Sequence, residues 1–320
     1  MRRPPTGSAF LWRARITAII RAVSAPALPS AQRSETSASS VAVVIPCFND
    51  GATLPQAVRS AQAQDRIDEL LIIDDGSTDA STLEVFRALE AEALRVVHRP
   101  NGGLGAARMT GVLATDSDYI FCLDADDRLL PGSLASLAAA LDEDPGLALA
   151  WGDYRLFGER SWRQETAPSL DHWQISYQND IPASVLIRRS ALLDAGGWEL
   201  RGGYEDWDML MGLAERGQRG RRLPIVIYEY RQHGPRMLGE SAARHGEIYA
   251  LLGRRHPELF ARRRESWRRS DAPWTLKLAL PVIFALPIGP NRRRLLAGAA
   301  CHLARRRGLG LLVRRVRSGG

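Results

Sequence analysis

Four short apolar runs recur between Val41 and Asp127, each cut off by acidic, proline or glycine residues. They are VAVVI (41–45), ELLIID (69–74), RVV (95–97) and YIFCL (119–123). Runs this short, apolar at successive positions, fit strands buried on both faces, as in parallel sheets. The segments between them read as helices. Thr53 is placed to cap the first, with Pro55 in its opening turn and Leu54, Val58 and Ala61 on one face. Phe86, Leu89 and Ala93 mark a face of the second, and NGGLGAARMTGVLA opens a third on glycine. The order β-α-β-α-β-α-β with short, right-handed connections predicts an α/β fold, a doubly wound, mostly parallel sheet with helices on both faces.

Ligands of such sheets bind beyond the carboxyl ends of the strands. Those ends here are Pro46 to Asp50, Asp74 to Asp79, Pro100 to Gly105 and Asp124 to Asp127, mostly polar, glycine or acidic. The only lysine among 320 residues is Lys277, in a late apolar stretch. Chemistry that needs a phosphate-loop or Schiff-base lysine is thereby disfavoured. With no lysine to meet a phosphate, a bound hard cation is the natural counter-charge.

Three acidic constellations carry chemistry. In Asp124-Ala125-Asp126-Asp127, continued strand alternation would point Asp124 and Asp126 to one side. Two carboxylates there can hold Mg²⁺ or Mn²⁺ with positions open for a diphosphate; the plainer alternative is a set of turn-forming aspartates. The run Asp74 to Asp79 offers a carboxylate to a base or ribose, or else an Asx-turn and helix cap. In Gly203-Tyr204-Glu205-Asp206-Trp207-Asp208, a carboxylate at a helix start could take a proton from a hydroxyl, or merely cap a helix predicted over Asp206 to Arg216. Tyr204 and Trp207 are read there as rings able to stack on a sugar.

In this order and at these spacings, the chain resembles the family 2 glycosyltransferases of the GT-A fold. The stretches that carry the resemblance are VVIPCFNDGATLPQAVRS, ELLIIDDGSTD, NGGLGAARMTG, YIFCLDADDRLLPGSL, GYEDWDMLMGLAERG and YEYRQH. The resemblance implies an inverting enzyme that takes a nucleotide-sugar donor and Mg²⁺ or Mn²⁺. It implies that Pro46, Cys47 and Asn49 line the nucleotide, that Asp75 contacts the base, and that Asp124 contacts donor sugar or ribose. Asp126, with Asp124, would hold the metal. Asp206, with Glu205 beside it, would be the catalytic base, and His233 would lie near the diphosphate. The sequence departs from family patterns at Met109, after Arg108. It also departs at Tyr230-Arg231-Gln232-His233-Gly234, where processive members carry Q-x-x-R-W, so transfer of single sugars to a saccharide or lipid-linked acceptor is expected.

The charge is uneven. Net charge is +7, yet no acid precedes Glu35 and none follows Asp271. Three domains are expected: a basic flexible segment over 1–40, a catalytic domain over 41–235 and a basic, apolar helical extension over 236–320. Trp274 to Gly289 is too short and too interrupted to span a bilayer. Followed by arginine clusters, it suits an anionic membrane surface or a helix packed on the domain. Arginine excess at the termini rather than along a groove argues against a nucleic-acid partner. A nucleotidyltransferase would want a basic glycine-rich loop where Cys47-Phe48-Asn49-Asp50 stands. A nicotinamide enzyme would want G-x-G-x-x-G after the first strand, which Gly102, Gly103 and Gly105 do not supply. Cys47, Cys122 and Cys301 form no disulfide or metal spacing, and residues 9–23 are broken by arginine as no secretory leader is. A cytoplasmic location, peripheral at the inner face of a membrane, is therefore expected.

Overall fold

The computed structural model describes residues 39–158, 161–232 and 237–317, with the side chains of 237, 238, 240 and 306–317 not described. The expected N-terminal basic segment lies almost wholly outside these residues. Strands β1 (Val41–Cys47), β2 (Glu69–Asp74), β3 (Arg95–His98) and β4 (Tyr119–Cys122) pair in parallel in the order β3-β2-β1-β4. Helices α1 (Leu54–Gln62), α2 (Ala80–Ala91) and α3 (Leu104–Leu113) supply the crossovers. Along β1, Ala42 and Val44 join one core cluster while Val41, Val43, Ile45 and Cys47 join another on the opposite face. That two-sided burial is why the run is apolar without alternation.

Beyond β4 the sheet turns antiparallel. β8 (Leu186–Arg188) pairs with β4 and with β6 (Leu147–Gly158). β6 then pairs in parallel with β9 (Arg219–Gln232), whose far end holds the two-residue β5 (Arg128–Leu129). The short β7 (Trp162–Gln164) hangs off β6. The register of β6 and β9 slips between Trp151/Arg222 and Asp153/Val226. Pro224, which cannot donate to a ladder, falls in that slip. The slip is clamped by Asp153, fully buried and paired to Arg163 and Arg222. β6 and β9 run 12 and 14 residues across this slip.

Helix α4 (Ser133–Glu143) follows β5, and α5 (Arg189–Ala195) precedes α6 (Glu205–Glu215). Helices α7 (Met237–Ala243), α8 (His245–Arg255), α9 (Pro257–Ala261), α10 (Arg263–Arg269), α11 (Trp274–Ala285) and α12 (Pro290–Arg317) complete the chain. Phe86 and Leu89 are buried as expected of α2, but Ala93 lies past its end at φ 62°.

The C-terminal helices are packed on the domain. Leu276 and Leu280 of α11 and Ala297, Cys301 and Ala304 of α12 bury against Trp173 and Tyr177. Those aromatics flank a 3-10 turn, Gln174–Ser176. Among the described residues, no helix is long and apolar enough to cross a membrane.

Candidate active site

The tip of β4 and the start of α6 are joined by one residue that sequence reading passed over. Every residue of α3 from Gly105 to Val112 is buried, so Arg108 has no path to solvent. It is 1% exposed. Its Nη2 donates to Asp124 Oδ1 at 2.8 Å and its Nη1 to Asp206 Oδ1 at 2.6 Å. Its guanidinium lies 5.5 Å from the Trp198 ring centroid. Burial opposes its charge, but Asp206 and Asp124 outweigh that and hold its pKa above the usual arginine range. The signal was present in principle: an arginine embedded among Gly, Ala, Met and Thr must find carboxylates inside the fold.

Asp206 is thereby oriented. Its Oδ1 accepts from both Arg108 and Trp198 Nε1, the latter at 2.9 Å. Among the described residues Oδ2 takes no hydrogen bond, and the side chain keeps 21% of its surface exposed. Glu205 points elsewhere: it is buried, its Oε1 accepts from the Gly203 amide at 2.9 Å, and burial raises its pKa. Tyr204, at φ 59°, makes the left-handed turn into α6. The expectation that Trp207 stacks on a sugar is corrected. Its ring is buried and its Nε1 donates to Ile175 O at 2.7 Å, while Tyr204 packs on it and on His245.

The geometry behind Asp124 and Asp126 also differs from expectation. β4 ends at Cys122, and Asp127 N donates to Asp124 O at 3.1 Å, closing a turn. Asp124 and Asp126 are presented by that turn, not by strand alternation. Asp127 is buried behind them and accepts from Arg231 N at 2.9 Å. Arg231 Nε also donates to Asp126 O at 2.8 Å, so the end of β9 braces the turn. Burial, then the charges of Asp124 and Asp126, push the Asp127 carboxyl well above the usual range.

Among the described residues no three His, Cys, Asp or Glu side chains already form a metal cage. Asp124 and Asp126 are the exposed-side carboxylates of this turn that could hold a hard cation.

The residues expected to line the nucleotide lie on two loops. Asn49, at φ 53°, accepts from the amides of Thr78 and Asp79 at 2.8 and 3.0 Å. It ties the end of β1 to the loop after β2. Pro46 and Cys47 are buried in β1, Phe48 stands exposed, and burial lifts the Cys47 thiol to about 12. Asp75 is also buried. It accepts from Gly103 N at 2.7 Å, from Gly102 N at 3.0 Å and from Arg99. A base contact by Asp75 must share a carboxylate that already binds the loop after β3. His233 lies outside the described residues.

Residues 42–193 match Glycosyl transferase family 2. An uncharacterised glycosyltransferase of Mycobacterium tuberculosis is 31% identical over 226 residues, 66% of this chain and 94% of that protein. The chain belongs to glycosyl transferase family 2. It is a glycosyltransferase. The pre-mycofactocin glycosyltransferase of M. tuberculosis is 30% identical over 236 residues, 68% of this chain and 48% of its own length. The crystal structure of S. aureus TarS 1-349 in complex with UDP-GlcNAc shares the fold at a TM-score of 0.57. Its sequence identity is 20%, over 75% of this chain and 70% of that one. This family 2 chain therefore has the GT-A architecture, with a helical C-terminal region packed against it.

Proposed function

We propose that the enzyme transfers single glycosyl residues, with inversion, from a nucleoside diphosphate sugar to a hydroxyl of a saccharide or lipid-linked saccharide, at the cytoplasmic face of a membrane. One observation carries this reading: Asp206, fixed through Oδ1 and open at Oδ2, sits one guanidinium away from Asp124 at the β4 tip. Asp206 Oδ2 takes the proton of the acceptor hydroxyl. The hydroxyl oxygen then forms a bond to the anomeric carbon. The bond from that carbon to phosphate oxygen breaks, and its electron pair leaves with the nucleoside diphosphate. A single displacement of this kind inverts the anomeric centre.

Asp124 orients the donor sugar or ribose, and Arg108 keeps Asp124 and Asp206 at a fixed separation. Pro46, Cys47, Asn49 and Asp75 shape the nucleoside end, with His233 beside the diphosphate. Mg²⁺ or Mn²⁺, held by Asp126 with Asp124, supplies neutralisation of the leaving diphosphate. The UDP-GlcNAc bound to the similar TarS fold supports a nucleotide-sugar donor.

The test is a panel of nucleotide sugars incubated with the purified enzyme, Mn²⁺ and candidate acceptors, repeated with Asp206→Asn. A base contributes about 10²-fold or more, so the variant should lose that much kcat while binding donor unchanged. Normal turnover by Asp206→Asn would reduce this residue to a helix cap.

A further inference from the structure

Eight of the eleven large hydrophobic residues that stand exposed among the described residues lie between Trp267 and Leu303. The pattern is regular. On α11, Leu276 and Leu280 face the core, while Trp274, Leu278 and Val282, four residues apart, are 73%, 58% and 59% exposed. On α12, Ala297, Cys301 and Ala304 face inward, while Leu295, Leu296 and Leu303 stand out. A surface helix of a soluble domain places charge on its outer side. Both of these helices place large apolar side chains there, on the sides turned away from Trp173 and Tyr177.

The electrostatics select the partner. From Ala272 to Gly320 the sequence has Lys277 and nine arginines and no acid. Arg292 is exposed in the first turn of α12, directly before Leu295 and Leu296. A second copy of this chain could cover the apolar ridge, but it would bring the same positive charge against itself. An anionic lipid surface matches both features.

We propose that the outer face of the α11–α12 hairpin docks on an anionic bilayer. Trp274, Leu278 and Val282 enter the boundary between headgroups and acyl chains, and Arg292 meets lipid phosphate. The twelve residues of α11 reach about 18 Å, well short of a hydrocarbon core, so the hairpin lies on the membrane rather than through it. The inner face of the same hairpin rests on Trp173 and Tyr177. The turn between them carries Ile175, whose carbonyl holds Trp207 of α6. The docking face and the helix bearing Asp206 thus belong to one packed stack, which sets the orientation of the active site over the membrane. This inference deepens the membrane-surface reading but rests on neither the donor nor the base assignment.

The experiment is co-sedimentation of the full chain with vesicles of phosphatidylcholine alone or mixed with phosphatidylglycerol, at low and high salt. The expected result is binding to the anionic vesicles, weakened by salt. Trp274→Ser with Leu278→Ser, both at exposed positions, should lower that binding about tenfold or more. The thermal melt and donor hydrolysis should stay unchanged. Light scattering without lipid completes the set. Equal binding by the double variant, equal binding to neutral vesicles, or no binding by the full chain overturns the proposal. So does a dimer that the double variant breaks, which would make the ridge a contact between copies.

Discussion

Replacing Arg108 with methionine keeps an apolar stem but removes the guanidinium that bridges Asp124 and Asp206. Breaking a buried ion pair costs about 3–5 kcal/mol when the stranded charge is itself buried. Here the two carboxylates are 27% and 21% exposed, so water recovers part of the loss. We expect a cost of about 2–4 kcal/mol, which in a domain of this size lowers Tm by roughly 5–10 °C. Turnover should fall by about 10² as Asp206 loses its orientation, and the donor KM should rise because Asp124 is released as well. Arg108→Lys should recover part of the stability and little of the turnover, since one ammonium cannot donate to both carboxylates in the same geometry. The decisive measurement is a double-mutant cycle with Asp206→Asn, read by steady-state kinetics and thermal melts. If Arg108 acts through Asp206, the double variant should turn over no more slowly than the worse single variant. Additive losses in kcat, or wild-type kcat in Arg108→Met, would refute the reasoning.

Chelation should abolish transfer and added Mn²⁺ or Mg²⁺ restore it, and Asp126→Ala should be inactive with an unchanged melt; full activity in excess EDTA would end the metal reading. His256 is held between Asp208 and Glu215 at 3.0 Å each, and although burial opposes its charge, those bonds raise its pKa from 6.5 to about 8. Its contribution, of order 2 kcal/mol, is complete below pH 6.5 and lost as pH rises through 8, so His256→Gln should flatten that part of the Tm–pH curve; an unchanged slope counts against it. A Cβ on Gly111 would collide with the side chain of Val44 where α3 crosses β1, so Gly111→Ala should cost about 1–3 kcal/mol in chemical denaturation, and a neutral result would mean that the helix shifts freely.

The first four strands were legible because β1 and β4 are buried on both faces, β2 is buried over its second half, and each run is short, apolar and followed by turn-forming residues. Their boundaries moved by one or two residues, as at Cys47 and Cys122. The β6–β9 ladder crosses a register slip at Pro224, and the break in the apolar pattern of β9 there hides its full length from the sequence. At the site, Asp124, Asp126 and Asp206 were readable as carboxylates at element ends. What joins them was not. Arg108 lies 98 residues from Asp206, and no local pattern records a contact across that distance. His256 escaped notice for the same reason, 48 residues from Asp208.

Those two long-range contacts bear on where the catalytic unit ends. Asp206 faces the sheet through Arg108. Asp208, two residues on, faces the other way, where His256 and Arg255 of the C-terminal helices donate to it at 3.0, 2.6 and 2.9 Å. Glu215, at the end of the same helix, accepts from His256 and from the Leu259 amide. Helix α6 is therefore fastened on one side by α3 and on the other by α8 and α9. A boundary at 235, where the resemblance ends with YEYRQH, would separate Asp208 and Glu215 from these donors. The charge pattern marks the surface that the C-terminal helices present. The hydrogen bonds mark what they hold. Residues 245–259 complete the support of Asp206, and the excess of arginine without compensating acid begins only after Asp271, on the hairpin whose outer side is apolar.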